Sequence, residues 1–427
     1  MRSILLRIKN KITIWDAYYP VIIFCYILTV FTDLIHPGVI ASILLVLVGI
    51  AALLKSALLR IAAGIDICDA FMAAFIIYNL LSVIWLTASK MPLYVYTGEA
   101  ATFILPAVMY LAARRGRACG FYKGYFTALI MLCGAGLIFY IAAPQFYLDY
   151  LYDWSYISLA DVPTMRVRMH SVCGSTILGS FSAVAILTSS YLFIKGCGKN
   201  SSDLPTDASE KSSQKSEGII GIIGMLTGFA FAIFSNQRSA MVVAIAAIIY
   251  LNILAFFTFG LFRRRYFYIE LGAIALIFIL ALILTPDLVL KVYYRLVSLP
   301  SAIGERSEQW VAAVNMMFSS WIGNGLGANG HRALGIEGVK VIADGGLVKL
   351  FCEDGVIGFS IFVYLLILTV KRGIKHFSDC YAELGIIGML LLQSIGSNVL
   401  SFQLIAPVFW YAVGRIVYVE RTGIRQL

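Results

Sequence analysis

The sequence predicts an all-α polytopic membrane protein with about twelve transmembrane helices. Of its 427 residues, 60% are hydrophobic and only 13% are charged, and the mean hydropathy is +0.88. A soluble globular domain has about 25% charged residues. The apolar residues are also grouped into segments long enough to cross a hydrocarbon core of about 30 Å as helices. We therefore expect a single membrane domain over residues 1–427 with two long extracytoplasmic loops.

Twelve apolar segments can be counted along the chain. Each approaches the length of about 20 residues that a helix needs to cross a membrane, with some tolerance for tilt. The segments are residues 18–35, 37–54, 67–86, 94–112, 121–142, 171–194, 218–234, 239–261, 267–285, 346–370, 382–400 and 402–419. The first segment has no small-residue cleavage site, so we expect it to be retained as a signal anchor.

The basic residues indicate how these helices are oriented. If the N-terminus is cytoplasmic, 23 of the 33 Lys and Arg residues fall in cytoplasmic segments, although the other loops are longer. This bias is the one that the positive-inside rule describes. The sequence therefore predicts a plasma-membrane protein with both termini in the cytoplasm. Since the orientation bias accounts for the net charge of +10, we expect no nucleic-acid partner.

Three polar intervals interrupt the apolar pattern. They are a first outer loop, a cytoplasmic linker and a second outer loop, at residues 143–170, 196–217 and 286–345. The linker is rich in Ser, Asp and Lys, and we expect it to be flexible. The second outer loop has apolar residues at helical spacing, namely Trp310, Val314, Met317 and Trp321. They predict an amphipathic helix on the outer membrane surface that ends at Gly323.

Basic residues are the minority on the outer side, so the arginines there are candidates for binding an anion. A guanidinium group can bind phosphate through two parallel hydrogen bonds. Arg238 lies in a tight turn, SNQR, between two apolar segments; anchoring to lipid headgroups is the alternative role. Arg166 and Arg168 alternate along an extended stretch, so we expect only one of them to reach a shared site. Arg306 precedes the amphipathic pattern and is the fourth candidate.

Three groups late in the chain are candidates for a general base, namely His331, Asp344 and Glu353. A surface histidine is an equally good interpretation of His331, and a structural pairing with an arginine is an equally good one for Glu353. The eight cysteines form no CxxC pair, and the outer loops contain no DxD-like pair, so we expect neither disulfides nor a metal. The glycine-rich GNGLG stretch, Gly323 to Gly327, fits either a phosphate-binding nest or, more simply, a turn.

Three motifs occur in a fixed order along the chain. SNQRSA and an apolar segment are followed by ERSEQWVAAVNMMFSSWIGNGLG and then by DGGLVKLFCEDGVIGF. In this order they resemble the O-antigen ligase and Wzy-type O-antigen polymerase superfamily of bacterial envelope glycosyltransferases. RVRMHSVCGSTILGSF is similar to the start of an earlier helix in that family, so the resemblance covers about residues 166–358. Ligases commonly have a His-Asn pair where the tenth helix begins, whereas this chain has Ala343-Asp344, which favours a polymerase.

The resemblance implies a glycosyltransferase of the bacterial plasma membrane whose donor is an oligosaccharide on undecaprenyl pyrophosphate. The reaction would take place on the extracytoplasmic face, and the product would be a surface polysaccharide such as an O-antigen, a capsule or an exopolysaccharide. The candidate arginines would bind the pyrophosphate, with either Arg166 or Arg168 reaching the site, and we expect neither a metal nor another cofactor. The resemblance also allows a chain-length regulator as a partner. An O-antigen ligase, a lipid-linked oligosaccharide flippase and a purely structural membrane protein are the alternatives.

Overall fold

The computed structural model describes residues 14–32, 37–58, 66–88, 91–114, 118–142, 169–197, 208–257 and 299–422, with a few single positions between 290 and 297. These residues form helices and turns, and no β-strand occurs among them. Eight of the described helical segments are long and apolar enough to cross a membrane. The prediction of an all-α membrane protein is therefore confirmed.

Fourteen α-helices occur in this part of the chain. They are α1 (Tyr18–Thr29), α2 (Pro37–Leu58), α3 (Ile67–Leu81), α4 (Val83–Ala88), α5 (Leu93–Glu99), α6 (Val108–Ala113), α7 (Ala118–Ala142), α8 (Ser175–Cys197), α9 (Ala208–Phe234), α10 (Arg238–Phe257), α11 (Leu299–Asn315), α12 (Gly346–Lys375), α13 (Phe377–Gln393) and α14 (Ala406–Thr422). A π-helical turn (Ala100–Ile104) and a 3₁₀ turn (Leu105–Ala107) join α5 to α6, so that these two helices form one span.

Eight of the twelve predicted spans correspond to long apolar helices. The first and last predicted spans contain shorter apolar helices, Tyr18–Thr29 and Ala406–Val419, and the eleventh overlaps α13. The ninth, residues 267–285, lies outside the described residues. The total of twelve spans therefore stays a prediction.

Helices α3 and α12 run antiparallel, and their contacts distinguish the two ends of the helical bundle. At one end, Arg372 donates two hydrogen bonds of 2.5 and 2.7 Å to the Asp66 carboxylate. At the other end, Asn79 Nδ2 donates to Asp354 Oδ2 at 3.4 Å, and Tyr78 OH donates to the Asp354 carbonyl at 2.7 Å. We call the second end the loop end. It carries the turns at residues 169–174, 235–237, 316–345 and 394–405.

Helix α12 is broken at Gly355, which has φ +62° and ψ −170°. The segment of residues 320–325 fills the break. Backbone hydrogen bonds of 2.9 to 3.0 Å join it to both halves of the helix, from Asn324 to Cys352, from Gly325 to Glu353, from Val356 to Ser320 and from Ile357 to Trp321. Irregular backbone at membrane depth is tolerated where protein groups satisfy it in this way.

Gly355→Ala is expected to destabilise the loop end. A Cβ atom at this position would lie against the Trp321 carbonyl oxygen, and the left-handed φ alone costs a non-glycine residue about 1–2 kcal/mol. We expect a lower free energy of unfolding in detergent and faster proteolysis of residues 316–345. Gly388→Ala in α13 is the matched control, because no other atom lies within 4 Å of its Cβ position. Equal effects of the two substitutions would contradict this account of the break.

The amphipathic helix of the second outer loop is α11, and it is shorter than predicted. It ends at Asn315, so the prediction that it continues to Gly323 is wrong. The reason is tertiary: the Phe318 amide donates to Asn324 Oδ1 at 2.6 Å, and the chain then enters the break in α12. Hydrogen bonds to another segment replace those that a longer helix would have made.

Helix α9 begins inside the interval predicted as a flexible linker. Its first residue is Ala208, so residues 208–217 are helical, whereas residues 198–207 lie outside the described part of the chain. Glu and Lys, which favour helix, are frequent in this interval. Glu217 also accepts a hydrogen bond of 2.8 Å from Lys123 in α7, which connects α9 to the bundle.

Candidate functional site

The elements of the loop end meet at residues 393–398, which comprise the last residue of α13 and the turn that follows it. Gln393 Nε2 donates to Ser180 Oγ in α8 at 2.8 Å and to Ser239 Oγ in α10 at 3.4 Å. The amide of Leu347, near the start of α12, donates to the Ser394 carbonyl at 3.2 Å. Helices α8, α10, α12 and α13 are thus joined at residues 393–398, which we call the central turn.

Arg306, in α11, lies beside the central turn. Its Nη2 atom is 2.7 Å from Asp344 Oδ2, and its Nη1 atom is 3.3 Å from the position that a Cβ atom would take on Gly396. Trp310, one turn further along α11, donates from Nε1 to the Asp344 carbonyl at 2.7 Å. Asn398 Nδ2 donates to the carbonyl that precedes Asp344 at 3.1 Å. The Arg306–Asp344 pair is therefore fixed at the central turn, and both side chains are partly exposed.

Arg238 is the first residue of α10, which contacts the central turn through the next residue, Ser239. The preceding turn places Asn236 in the left-handed region, with φ +49°, which asparagine tolerates better than most residues. The Nε atom of Arg238 is buried without a hydrogen-bond partner. Among the described residues, Arg238 also has no ion-pair partner. No carboxylate of the described residues therefore neutralises its charge.

The other two predicted anion-binding arginines, Arg166 and Arg168, lie outside the described residues. Met169 is the next described residue, and its amide donates to the Phe234 carbonyl at 3.0 Å. Phe234 is the last residue of α9 and directly precedes the turn that leads to Arg238. Met169 therefore lies next to that turn.

A cluster of four charged side chains lies at the loop end; three of them are buried, and the fourth, Arg332, is 45% exposed. Lys349 pairs with Glu99, and its Nζ atom is 3.7 Å from Glu353 Oε1 and 3.0 Å from Ser401 Oγ. Arg332 Nη1 is 3.6 Å from Glu99 Oε2. The side chains of Lys349, Glu99 and Glu353 are at most 5% exposed. Two cations thus balance two carboxylates in what we call the buried charge cluster.

Glu353, one of the three predicted bases, is enclosed by this cluster. Its side chain is 2% exposed, and its Oε1 atom accepts a hydrogen bond of 3.1 Å from the Asn329 amide. Its backbone carbonyl accepts from Gly325, so Glu353 holds the loop that fills the break in α12. These contacts favour the structural interpretation of Glu353 over the catalytic one.

His331 and Asp344, the other two predicted bases, have different surroundings. His331 is exposed and begins a 3₁₀ turn, and the next residue, Arg332, lies against Gly98 in α5. Asp344 is partly exposed and pairs with Arg306. Within the described part of the chain, Asp344 is thus the one predicted base that contacts a predicted anion-binding arginine.

The GNGLG stretch is a turn that packs against other helices. The amides of Asn324 and Gly325 are bonded to carbonyls of α12, and the Leu326 amide donates to Ser82 Oγ at 3.1 Å. Because these amides already have protein partners, they do not form a phosphate-binding nest. The turn was the simpler of the two interpretations that the sequence allowed.

An apolar groove of about 400 Å³ lies between α11 and α12. It is lined by Trp310, Val311, Val314, Asn315, Leu347, Val348, Phe351 and Phe359. Trp310 also donates to the Asp344 carbonyl, so the groove adjoins the Arg306–Asp344 pair. An apolar binding surface and a cationic group are therefore next to each other.

The central turn lies within residues 382–400, which the length of the apolar run predicts as a membrane span. Helix α13 ends at Gln393, and the following residues form a turn. A signal was present in the sequence, since Gln393, Ser394, Ser397 and Asn398 are four polar residues within six positions of an apolar run. The buried charge cluster had a similar signal in Lys349, because a lysine within an apolar span requires a partner.

No protein family model matches the chain, and no curated protein matches it significantly. Among the described residues, no group of three or more His, Cys, Asp or Glu side chains is placed to hold a metal ion. The fold and the site define an all-helical membrane protein with a basic and polar site at the loop end of its bundle.

Proposed function

We propose that this protein is a membrane glycosyltransferase that polymerises oligosaccharide repeat units carried on undecaprenyl pyrophosphate. The observation that supports this proposal is the position of two arginines near the central turn. Arg238 directly precedes the serine of α10 that bonds to Gln393, and Arg306 Nη1 lies beside Gly396. Arg238 has no ion-pair partner in the described structure, and Arg306 has a partly exposed one. Two guanidinium groups at one turn suit a pyrophosphate, because each can bind phosphate oxygens through two hydrogen bonds.

In the proposed reaction, the oxygen of an acceptor sugar hydroxyl forms a bond to the anomeric carbon of the donor sugar. The bond between that carbon and the pyrophosphate oxygen breaks, and its electron pair leaves with undecaprenyl pyrophosphate. The hydroxyl proton passes to a base. Negative charge increases on the leaving oxygens, so fixed cations stabilise the transition state more than the ground state. We assign this role to Arg238 and Arg306, together with Arg166 or Arg168 of the first outer loop.

The apolar groove beside Arg306 suits the carrier lipid of such a donor. Its lining is apolar except for Asn315, so an isoprenoid chain that moves from the bilayer into the groove stays in apolar surroundings and can make van der Waals contacts there. The pyrophosphate of a lipid lying in this groove would be next to the Arg306–Asp344 pair. Helices α11 and α12 would then bind both parts of the donor.

The distribution of basic residues supports placing the loop end on the extracytoplasmic side of a bacterial plasma membrane, with both termini in the cytoplasm. Lipid-linked sugars are the donors present on that side in the family that the motifs resemble. The protein would then build an O-antigen, a capsule or an exopolysaccharide. Ala343-Asp344, in place of the His-Asn pair of ligases, supports a polymerase over a ligase.

The proposal can be tested with purified full-length protein in lipid nanodiscs. The donor would be lipid-linked repeat units extracted from cells that lack this gene. We expect products whose masses increase in steps of one repeat unit. A ligase would transfer the glycan to a different acceptor without lengthening it. A flippase would leave every mass unchanged and, in sealed vesicles, would move the donor between leaflets.

Asp344→Asn is expected to slow transfer by roughly 10²–10⁴-fold, the usual contribution of a general base. The amide keeps an oxygen that accepts a hydrogen bond from Arg306, but it cannot take up the hydroxyl proton. The measurement is the initial rate of extension at saturating donor. His331→Gln is the comparison, and we expect it to retain at least half of the activity. The opposite pattern would assign the base to His331.

A further inference from the structure

Four uncharged side chains in two turns of the loop end, the central turn and the turn before Arg238, have a buried polar atom without a hydrogen-bond partner. These atoms are Gln393 Oε1, Ser397 Oγ, Asn398 Oδ1 and Asn236 Oδ1. The residues are only 1, 1, 4 and 5% exposed, respectively. Native proteins leave few such groups unpaired, because an unpaired buried polar group is unfavourable. Three of the four lie in the central turn, so a common explanation is required.

The four side chains are connected to both arginines of the proposed donor site. Gln393 bonds to the residue that follows Arg238, and Asn236 precedes Arg238 by two residues. Asn398 Nδ2 bonds to the carbonyls of the two residues before Asp344, at 2.8 and 3.1 Å. The uncharged groups therefore lie between the chain segments that carry the two cations.

We propose that these four side chains form the subsite for the acceptor sugar, and that Gln393 selects its hydroxyl pattern. This inference rests on the proposed function and deepens it. Amide and hydroxyl groups both donate and accept hydrogen bonds, as sugar hydroxyls do, whereas a phosphate mainly requires donors and positive charge. The neutral groups at the central turn thus suit the acceptor sugar, and the guanidinium groups beside it suit the pyrophosphate of the donor.

Such a subsite would discriminate between acceptors by their hydroxyl groups. A sugar that lacks the matching hydroxyl leaves a buried group of the protein unpaired, and this penalty is much larger than that of a missing apolar contact. Buried water is the competing explanation, because water molecules commonly satisfy polar groups in protein interiors. The two explanations differ in whether the side chains affect the affinity for the acceptor.

Gln393→Met tests the proposal, since methionine has a similar length and neither donates nor accepts a strong hydrogen bond. The purified full-length protein is assayed in nanodiscs with lipid-linked repeat units as donor. The repeat unit released from its lipid, as a methyl glycoside, serves as acceptor. We expect the KM for this acceptor to rise about tenfold or more, as for the loss of a hydrogen-bonding group. We expect the KM for the donor, and donor hydrolysis without acceptor, to change less than twofold.

Gln403→Met is the matched control. Gln403 is a buried glutamine at the same end, but its Nε2 donates to the Gly38 carbonyl at 2.8 Å and its Oε1 accepts from Tyr26 OH at 3.4 Å. We expect this variant to keep the acceptor KM of the wild type. Ser397→Ala is a second test with a smaller change in volume, in case Gln393→Met does not fold.

The outcomes separate the two proposals. If the wild type extends the glycan and the acceptor KM is unchanged in both Gln393→Met and Ser397→Ala, the polar atoms bind structural water only, and the acceptor subsite is overturned. The proposed function would survive that result. If the wild type forms no extended product from the same donor and acceptor, the proposed function and the inference that rests on it both fail.

Discussion

Arg238→Ala is expected to give a folded, membrane-inserted protein that extends the glycan on the order of 100 to 1,000 times more slowly. The structure explains why activity and folding should separate at this residue. Arg238 has no ion-pair partner in the described structure, so its removal leaves no buried carboxylate unpaired. In the proposed reaction, however, it stabilises negative charge that develops on the leaving pyrophosphate. The measurements are the initial rate and the distribution of product lengths.

Two further variants define the role of this charge. Arg238→Lys keeps the positive charge but loses the planar fork of donors, so we expect a loss of about tenfold. Lys340→Ala removes another basic side chain of the loop end, which is exposed, and should leave extension unchanged. An unaltered distribution of product lengths in Arg238→Ala would refute the proposed function of this site.

Lys349→Met is expected to lower the free energy of unfolding by about 3–5 kcal/mol, the usual effect of removing one partner from a buried ion pair. Lys349 is the cation that Glu99 and Glu353 share, and all three side chains are at most 5% exposed. Its loss would leave both carboxylates short of positive charge in the interior. Unfolding in mixed micelles measures the effect.

A matched lysine is present elsewhere in the bundle. Lys123 is 2.8 Å from Glu217, and the two side chains are 41% and 10% exposed, so Lys123→Met should cost less than Lys349→Met. Adding Glu99→Gln to Lys349→Met should recover part of the lost stability, because one uncompensated charge is removed. Equal losses of unfolding free energy in Lys349→Met and Lys123→Met would mean that burial does not determine how much the buried charge cluster stabilises the fold.

The predictions that held were those that depend on a continuous stretch of sequence. Eight predicted spans correspond to long apolar helices, since the length of an apolar run is enough to indicate a membrane helix. The apolar spacing around Trp310 likewise predicted part of α11. The end of that helix could not be predicted, because it depends on the bond from Phe318 to Asn324 and on the break in α12.

In the candidate site too, the residue types could be predicted from the sequence, whereas the contacts between distant residues could not. Arg306 and Asp344 were named as candidates from their residue types and from the predicted outer loop, but their direct pairing at 2.7 Å was not predicted. The partner of Lys349 is Glu99, which lies 250 residues away in the sequence. A contact over that separation leaves no local pattern, and one sequence alone cannot indicate it.

The sequence by itself determined the class of the protein and the positions of most of its helices, because apolar run length and charge are local properties. Only the tertiary structure decided that α12 is broken at Gly355, that residues 394–398 form a turn within a predicted span, and that Glu353 is enclosed. The physical reason is that hydrogen bonds and ion pairs between distant segments compete with the local preference for helix. Where those contacts supply hydrogen-bond partners to the backbone and counter-charges to the buried groups, they override the local preference for helix.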